Sequence, residues 1–509
     1  MSEARTQTSF EAVDAVLEWC LRNAQRMERL GEIEQAGLWG AVAAATAAEF
    51  GHSWLCSAPL ESLLLRVGAR LPGPSRWKRN AGVGSTKHWL HVFSRSQAGG
   101  HNALARRWIA RNPFAELHSL VLTGQPASEM EPLLGQAIRA SGGQVHSLEG
   151  TLFERAVALR ELALEADVVA LHIHMWDVLP SIAFAVPECP PVVLINHADH
   201  VFWVGSAIAD IVVDIRDSGL KLTGSLRGVR ASAVLPVPLE DHGPAPRDRS
   251  FVASRLADRS LLERDLILLT IGSPHKYQPV PELDFETTIA RIVSAIQNCA
   301  LISVGPDRDD ALWLRIGART GGRVAAVGFD ADLASWHAAA DLYLEGFPIG
   351  SYTALLEVAL AGRAFVRKPY LAPPTILPVD RGALAPFDPP PDPDAYASAV
   401  IALAGDATRR DAMAQEARAS VLEHHCGTRW DGRLEQLRNS IPKVHEVGLS
   451  FEPPRMPPAL ADYWGALHAA SVSESPLAFA QRVAYGQGLR PRTDVAVQDA
   501  LRKLQAHAR

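Results

Sequence analysis

Between residues 10 and about 70, apolar side chains recur at three- and four-residue intervals. Phe10, Val13, Val16, Leu17, Leu21 and Ala24 fall on one face at that spacing, which predicts an amphipathic helix. The same pattern predicts a second helix over Ile33–Phe50 and a third over Leu60–Arg70, and Leu-Pro-Gly-Pro-Ser at 71–75 then breaks it. From Lys87 the pattern becomes short apolar runs, glycine turns and helical stretches. It predicts strands over His88–Phe93, Glu116–Leu122, Val168–His174, Val192–Asn196 and Ile211–Ile215, with helices between them, including one starting at Asn102.

A proline-rich stretch at 235–246 reads as a hinge or linker. A second alternating unit follows, with strands predicted over Leu266–Ile271, Ala300–Val304, Val324–Val327, Leu342–Leu344 and Arg363–Arg367. Another proline break lies at 453–458, and the last fifty residues look helical. The expected fold is α/β: two doubly wound, Rossmann-like units with parallel sheets covered on both faces. The expected boundaries are a helical region at 1–84, the first α/β domain at 85–245, the second at 246–440, and a helical tail at 441–509. Ligands of such sheets bind beyond the carboxyl ends of the strands, so a cleft between the two facing units is the expected substrate site.

Composition narrows the partners. With 509 residues, 48% hydrophobic and 21% charged, the chain reads as an ordinary soluble protein of several folding units. A net charge of −6 speaks against nucleic acid or an anionic membrane as the main partner. The cysteines, Cys20, Cys56, Cys189, Cys299 and Cys426, are odd in number and widely spaced, which fits a reducing compartment. The start carries no signal-peptide core, and the longest apolar run, near 37–48, is too short to span a bilayer. A cytoplasmic location is expected.

The groups that could do chemistry cluster at predicted strand ends. In Asp341–Gly362 an apolar strand ends in a turn with Gly350 and Ser351. The turn opens a helix with Tyr352, Thr353 and, further on, Glu357. Exposed amides at a helix start attract phosphate, and Glu357 could bind a sugar hydroxyl. Gly272-Ser273-Pro-His-Lys276-Tyr follows another strand, and Lys276 could neutralise a diphosphate. In the first unit, Gln97-Ala-Gly99-Gly100-His101 follows the first strand. Its glycines allow close backbone approach, and His101 could bind phosphate or act as a base.

His172 and His174, two apart on a predicted strand, should share a face. With Asp177, His197, Asp199 and His200 they bring four histidines and two aspartates to adjacent strand ends. A metal site is one reading, but no established ligand pattern such as H-E-x-x-H is present. The preferred reading is acceptor binding by His172, His174 and His200. His197 or Asp199 would then take a hydroxyl proton, with Asp177 orienting the base.

The run Gly346-Phe-Pro-Ile-Gly-Ser-Tyr-Thr-Ala-Leu-Leu-Glu-Val-Ala-Leu-Ala-Gly362 resembles the donor-binding segment of GT-B fold glycosyltransferases, nearest to the O-GlcNAc transferase-like branch. Gly272–Tyr277 resembles the loop whose lysine holds the donor diphosphate in that family. The resemblance is clearest over 260–370. It implies that Lys276 and the Gly350–Thr353 backbone hold a diphosphate and that Glu357 holds the ribose. It places His101 against the phosphates or the reacting hydroxyl. It also implies a nucleotide-sugar substrate, with UDP favoured, a hexosyl or N-acetylhexosaminyl group transferred, and neither metal nor separate cofactor. The N-terminal helices could then bind an acceptor protein or form a homo-oligomer. Other readings are a nucleotide-sugar epimerase on a similar scaffold, a non-catalytic interaction scaffold, and a metal-dependent hydrolase using His172, His174, His197 and His200.

Overall fold

The computed structural model describes residues 2–73, 86–97, 99–280, 282–370, 382–471 and 474–490. Part of the predicted helical tail (491–509), Ala98 of the glycine loop and the end of the 71–75 break lie outside the described residues. The chain divides into two compact units, 1–238 with 431–509, and 239–430.

The first unit is built on seven strands: β1 (His88–Phe93), β2 (Leu117–Leu122), β3 (Val145–Ser147), β4 (Val168–His172), β5 (Val192–Asn196), β6 (Ile211–Asp214) and β7 (Ser232–Val234). All neighbours are parallel, in the order β3-β2-β1-β4-β5-β6-β7. The central strands are buried almost throughout. That burial explains why they read as continuous apolar runs rather than as alternations. The pattern missed β3 and β7, three-residue edge strands that are half-buried at every position. It also ran β4 two residues too far, since the strand stops at His172.

The N-terminal helices, Ser2–Arg29, Ile33–Phe50 and Ala58–Gly68, belong to this unit. Trp19 meets Trp39 edge-on with ring centres 5.2 Å apart. Helices Pro458–Ser471 and Pro476–Gly486 pack back on the first two helices. As a result Ala480, Ala484 and Leu489 share one apolar core with Val16, Leu64, Val92 and Leu171.

Arg160 of helix Leu152–Ala163 is fully buried. Its guanidinium donates to the carbonyls of Gly68, Pro72, Ile182 and Ala183 at 2.7–3.2 Å. Ile182 and Ala183 close helix Leu179–Ala183, Gly68 ends helix Ala58–Gly68, and Pro72 lies in the segment beyond it. Arg160→Met would leave the buried Ile182 and Ala183 carbonyls without this donor, and each unsatisfied group costs about 1–3 kcal/mol. A loss of at least about 3 kcal/mol is expected in urea unfolding. A loss below about 1 kcal/mol would show that the guanidinium only fills space.

The second unit carries β8 (Leu266–Ile271), β9 (Cys299–Val304), β10 (Val324–Ala326), β11 (Leu342–Leu344) and β12 (Ala364–Val366). They are all parallel, in the order β10-β9-β8-β11-β12. All five strands were predicted, each within a residue at either end. The residues of the proline-rich stretch in this unit are not a free linker. Leu239 N–H donates to the carbonyl of His425, Ala245 N–H donates to that of Ala361, and Arg363 donates to the carbonyls of Ala245 and Pro246. Proline lacks a donor, so neighbouring residues and an arginine carry the bonding.

In each sheet the winding reverses once, between β1 and β4 in the first unit and between β8 and β11 in the second. Adjacent crossovers leave on opposite faces there. This opens a crevice at the carboxyl ends, the usual ligand position in doubly wound sheets. Among the described residues no helix is long and apolar enough to cross a membrane.

Candidate functional site

The switch point of the second unit brings together the two segments that the sequence singled out. After β8 the chain runs through Gly272 and Ser273 into a short 3-10 turn over Pro274–Tyr277. After β11 it runs from Glu345 to Ser351 and enters helix Tyr352–Leu360. The Lys276 ammonium donates to the carbonyl of Gly350 and to Oγ of Ser351, both at 3.2 Å. Ser351 is the helix N-cap, yet its hydroxyl makes no cap hydrogen bond. An ammonium therefore sits at the positive end of a helix whose N-cap hydroxyl makes no cap hydrogen bond, an arrangement suited to an anion.

Thr353 and Glu357 stand four apart and half-buried, while Ala354, Leu355, Leu356 and Val358 are buried. The accessible stripe of the helix thus carries a hydroxyl and a carboxylate on one face. Glu357 lies near His337, which burial pushes down to about 4. Tyr352 lies edge-on to His425.

Two supports of this loop were not apparent from the sequence. Glu345 is buried, and its carboxylate accepts the Lys368 N–H at 2.9 Å. A Cβ on Gly350 would lie 2.2 Å from Glu345 Oε1 and 2.8 Å from Lys368 Cδ. Gly350 is thus confined between a buried carboxylate and a lysine stem. Gly350→Ala must displace both or move the turn itself, at a cost of about 1–3 kcal/mol, and it would shift the carbonyl that Lys276 binds. A lower melting temperature together with at least tenfold weaker nucleotide binding is the expected result. Unchanged binding would separate the loop from the ligand. Tyr277 is fully buried beneath the turn, where its hydroxyl meets Thr270 Oγ1 at 3.1 Å.

The switch point of the first unit collects histidines. His101, the second residue of helix Gly100–Arg111, stacks on His197 with centroids 3.9 Å apart and 12° between the planes. It also stacks on Phe93 and lies 5.7 Å from the His172 ring. Burial, then His197 and the other neighbouring imidazoles, hold His101 well below the usual histidine range. Burial pushes His197 down to about 4. Both imidazoles are held below neutrality, chiefly by burial, so at neutral pH the stack is uncharged.

Other expectations need correction. His172 and His174 do not share a strand face. The strand ends at His172, which is buried and bonded to His91, whereas His174 lies beyond it, stacked on the exposed Trp176. Asp177 orients no histidine through a hydrogen bond, because its oxygens accept the hydroxyls of Ser94 and Thr123 and the N–H of Leu179. It ties the ends of β1 and β2 to helix Leu179–Ala183. Asp199 is a poor base. Burial alone would raise it, but the bidentate Arg216 guanidinium, at 2.7 Å to both oxygens, and His200 hold it well below the carboxylate range. His200 is therefore committed to Asp199, with Trp464 beside its ring. Among the described residues, no three histidine, cysteine or acidic side chains are grouped to hold a metal ion. His91, His118 and Arg216 were all missed. The two histidines did carry a signal: each interrupts the apolar run of a predicted strand.

No protein-family model matches this chain, and no curated protein does. Solved structures do match. Anabaena HepE in complex with UDP and glucose is 17% identical with a TM-score of 0.53, covering 70% of this chain and all of that one. Staphylococcus aureus TarM, a mutant solved with fondaparinux, alpha-GlcNAc-glycerol and UDP, is 8% identical with a TM-score of 0.51, covering 70% of this chain and 99% of that one. A mutant of the Thermobaculum terrenum O-GlcNAc transferase is 14% identical with a TM-score of 0.49, covering 84% and 81%. The chain therefore has the GT-B fold of two parallel α/β units, with additional helices at both ends.

Proposed function

We propose that this protein is a glycosyltransferase that moves a sugar from a nucleotide diphosphate, UDP by preference, to an acceptor hydroxyl or similar nucleophile. The observation that carries this reading is the Lys276 ammonium against Gly350 and Ser351, at a helix start on the switch point of the second unit. The fold supports it, since HepE, which shares the fold, was solved with UDP and with UDP-glucose. The transferred group is a hexosyl or N-acetylhexosaminyl unit.

In this reading Lys276 and the helix-start amides neutralise the charge that grows on the departing diphosphate. Glu357 holds the ribose hydroxyls. The first unit supplies the group that takes the acceptor proton, and the His101–His197 stack is the uncharged proton acceptor there. The bond from the anomeric carbon to the diphosphate oxygen breaks as the acceptor oxygen bonds to that carbon.

A thermal-shift screen against nucleotide sugars tests the reading. A UDP-sugar should raise the melting temperature of the wild type and of neither Lys276→Ala nor Glu357→Ala. Release of UDP should then require an added acceptor; turnover of the donor alone would favour an epimerase. If no nucleotide sugar stabilises a folded wild-type protein, the proposal falls.

A further inference from the structure

Three buried histidines line up across the first sheet. In the register, His118 of β2 pairs with Trp89, and His172 of β4 pairs with Phe93, while His91 lies between those two on β1. Steps of two residues preserve the face, so the three rings climb diagonally on one side of the sheet, the side on which Trp108 lies. All three are fully buried. His118 Nδ1 meets His91 Nε2 at 3.0 Å, and His91 Nδ1 meets His172 Nε2 at 3.0 Å.

The far end fixes the direction of every bond. His118 Nε2 lies 3.3 Å from Asn112 Oδ1. The Asn112 amide cannot turn over, because its Nδ2 donates to the Glu116 carbonyl and its Oδ1 accepts the Glu116 N–H. His118 must therefore donate from Nε2, and its Nδ1 is left as an acceptor. His91 then donates from Nε2, and so does His172. The row ends in a bare lone pair on His172 Nδ1, which is buried and has no hydrogen-bond partner.

His101 supplies the next ring. The two hydrogen-bonded pairs have centroids 5.2 Å apart. His101 and His172 are 5.7 Å apart with a 37° tilt, the same tilt as His91 and His118. His101 Nε2 is also buried and unpartnered. A shift of about half an ångström would bring the two rings to the spacing of the bonded pairs, and His101 lies in the first turn of its helix, directly after Gly99 and Gly100. The row and the helix share their ends, since Asn112 is the C-cap of the helix whose first turn holds His101.

We propose that His172, His91 and His118 are positioning residues that lock His101 in its Nε2–H tautomer and leave Nδ1 of His101 as the basic atom. That assignment of the base rests on the glycosyltransferase reading; the tautomer lock does not. In transfer, the acceptor O–H proton goes to His101 Nδ1. His101 Nε2–H closes onto His172 Nδ1 as the charge develops, and the row polarises as each imidazole donates to the next. A row of neutral imidazoles thus does the orienting that a carboxylate does in many acid–base sites.

The test combines nitrogen NMR of histidine-labelled full-length protein with kinetics. His101, His172, His91 and His118 should all show the Nε2–H signature at neutral pH. His172→Phe, which keeps a flat ring beside Phe93, should lose that signature at His101. It should also lower kcat by about tenfold to a hundredfold, with UDP binding unchanged. His172→Gln, which can donate to His91 and accept from His101, should recover most of the rate. An Nδ1–H form at His101 in the wild type, or equal rates for the Phe and Gln variants, would overturn the proposal. If the wild type transfers no sugar at all, the function proposed above falls, and the spectra still decide the lock.

Discussion

Lys276→Ala should bind UDP about ten- to 150-fold more weakly than the wild type, and transfer should fall at least as far. The size follows from the contact. An ammonium bonded to charged oxygens contributes about 1.5–3 kcal/mol, which is that range as an affinity ratio. The alanine removes the ammonium from a carbonyl and a hydroxyl of the 350–351 turn and leaves the backbone of both segments in place. The fold should survive, so calorimetric titration of UDP reads the interaction directly. Transfer should suffer more than binding, since the charge on the diphosphate grows as the sugar leaves. Binding within threefold of the wild type would remove the diphosphate from this turn and the proposed donor site with it.

The second large effect is acid sensitivity. Burial is the leading cause that pushes His118, His197, His337 and His468 down to about 4, and His172 down to about 3. In the unfolded chain each returns to about 6.5. A histidine whose folded value is depressed contributes stability in full above 6.5 and loses it as pH falls towards the folded value. For buried His118 and His337 a shift of that size corresponds to roughly 3 kcal/mol each.

Two carboxyls oppose this trend. Burial raises Glu61 and Asp214 to about 7. Their stabilisation is complete below about 4 and is lost as pH rises through 7. The five histidines outnumber them, so the protein should take up net protons on unfolding between pH 6.5 and 4. Melting temperature should fall steeply over that window, and His118→Phe should flatten the slope. A melting temperature that stays level or rises as pH drops from 6.5 to 4.5 would contradict the neutral, buried state of these rings.

Most of the secondary structure and the lysine and helix start of the second unit could be read locally. Leu266–Ile271 and Val192–Asn196 announce themselves because strands buried on both faces must be apolar throughout. The turn at 350–351 could be read because glycine, serine and a helix start are adjacent in the chain. Asp177 and Asp199 could not be read this way, for their partners Thr123 and Arg216 lie 54 and 17 positions away. A carboxylate at a strand end looks the same in sequence whether it faces a substrate or a guanidinium.

The order of residues decided the helices, most strands, and the loop, lysine and helix start that suit a phosphate. Those features depend on side-chain periodicity and turn chemistry, which act over a few residues. Tertiary packing decided which polar groups remain available for chemistry. It joined His118, His91 and His172 across positions 27 and 81 apart in sequence, committed Asp199 to Arg216, and placed His101 on His197. Strand register and burial set those contacts, and both exist only once the parallel sheet has closed.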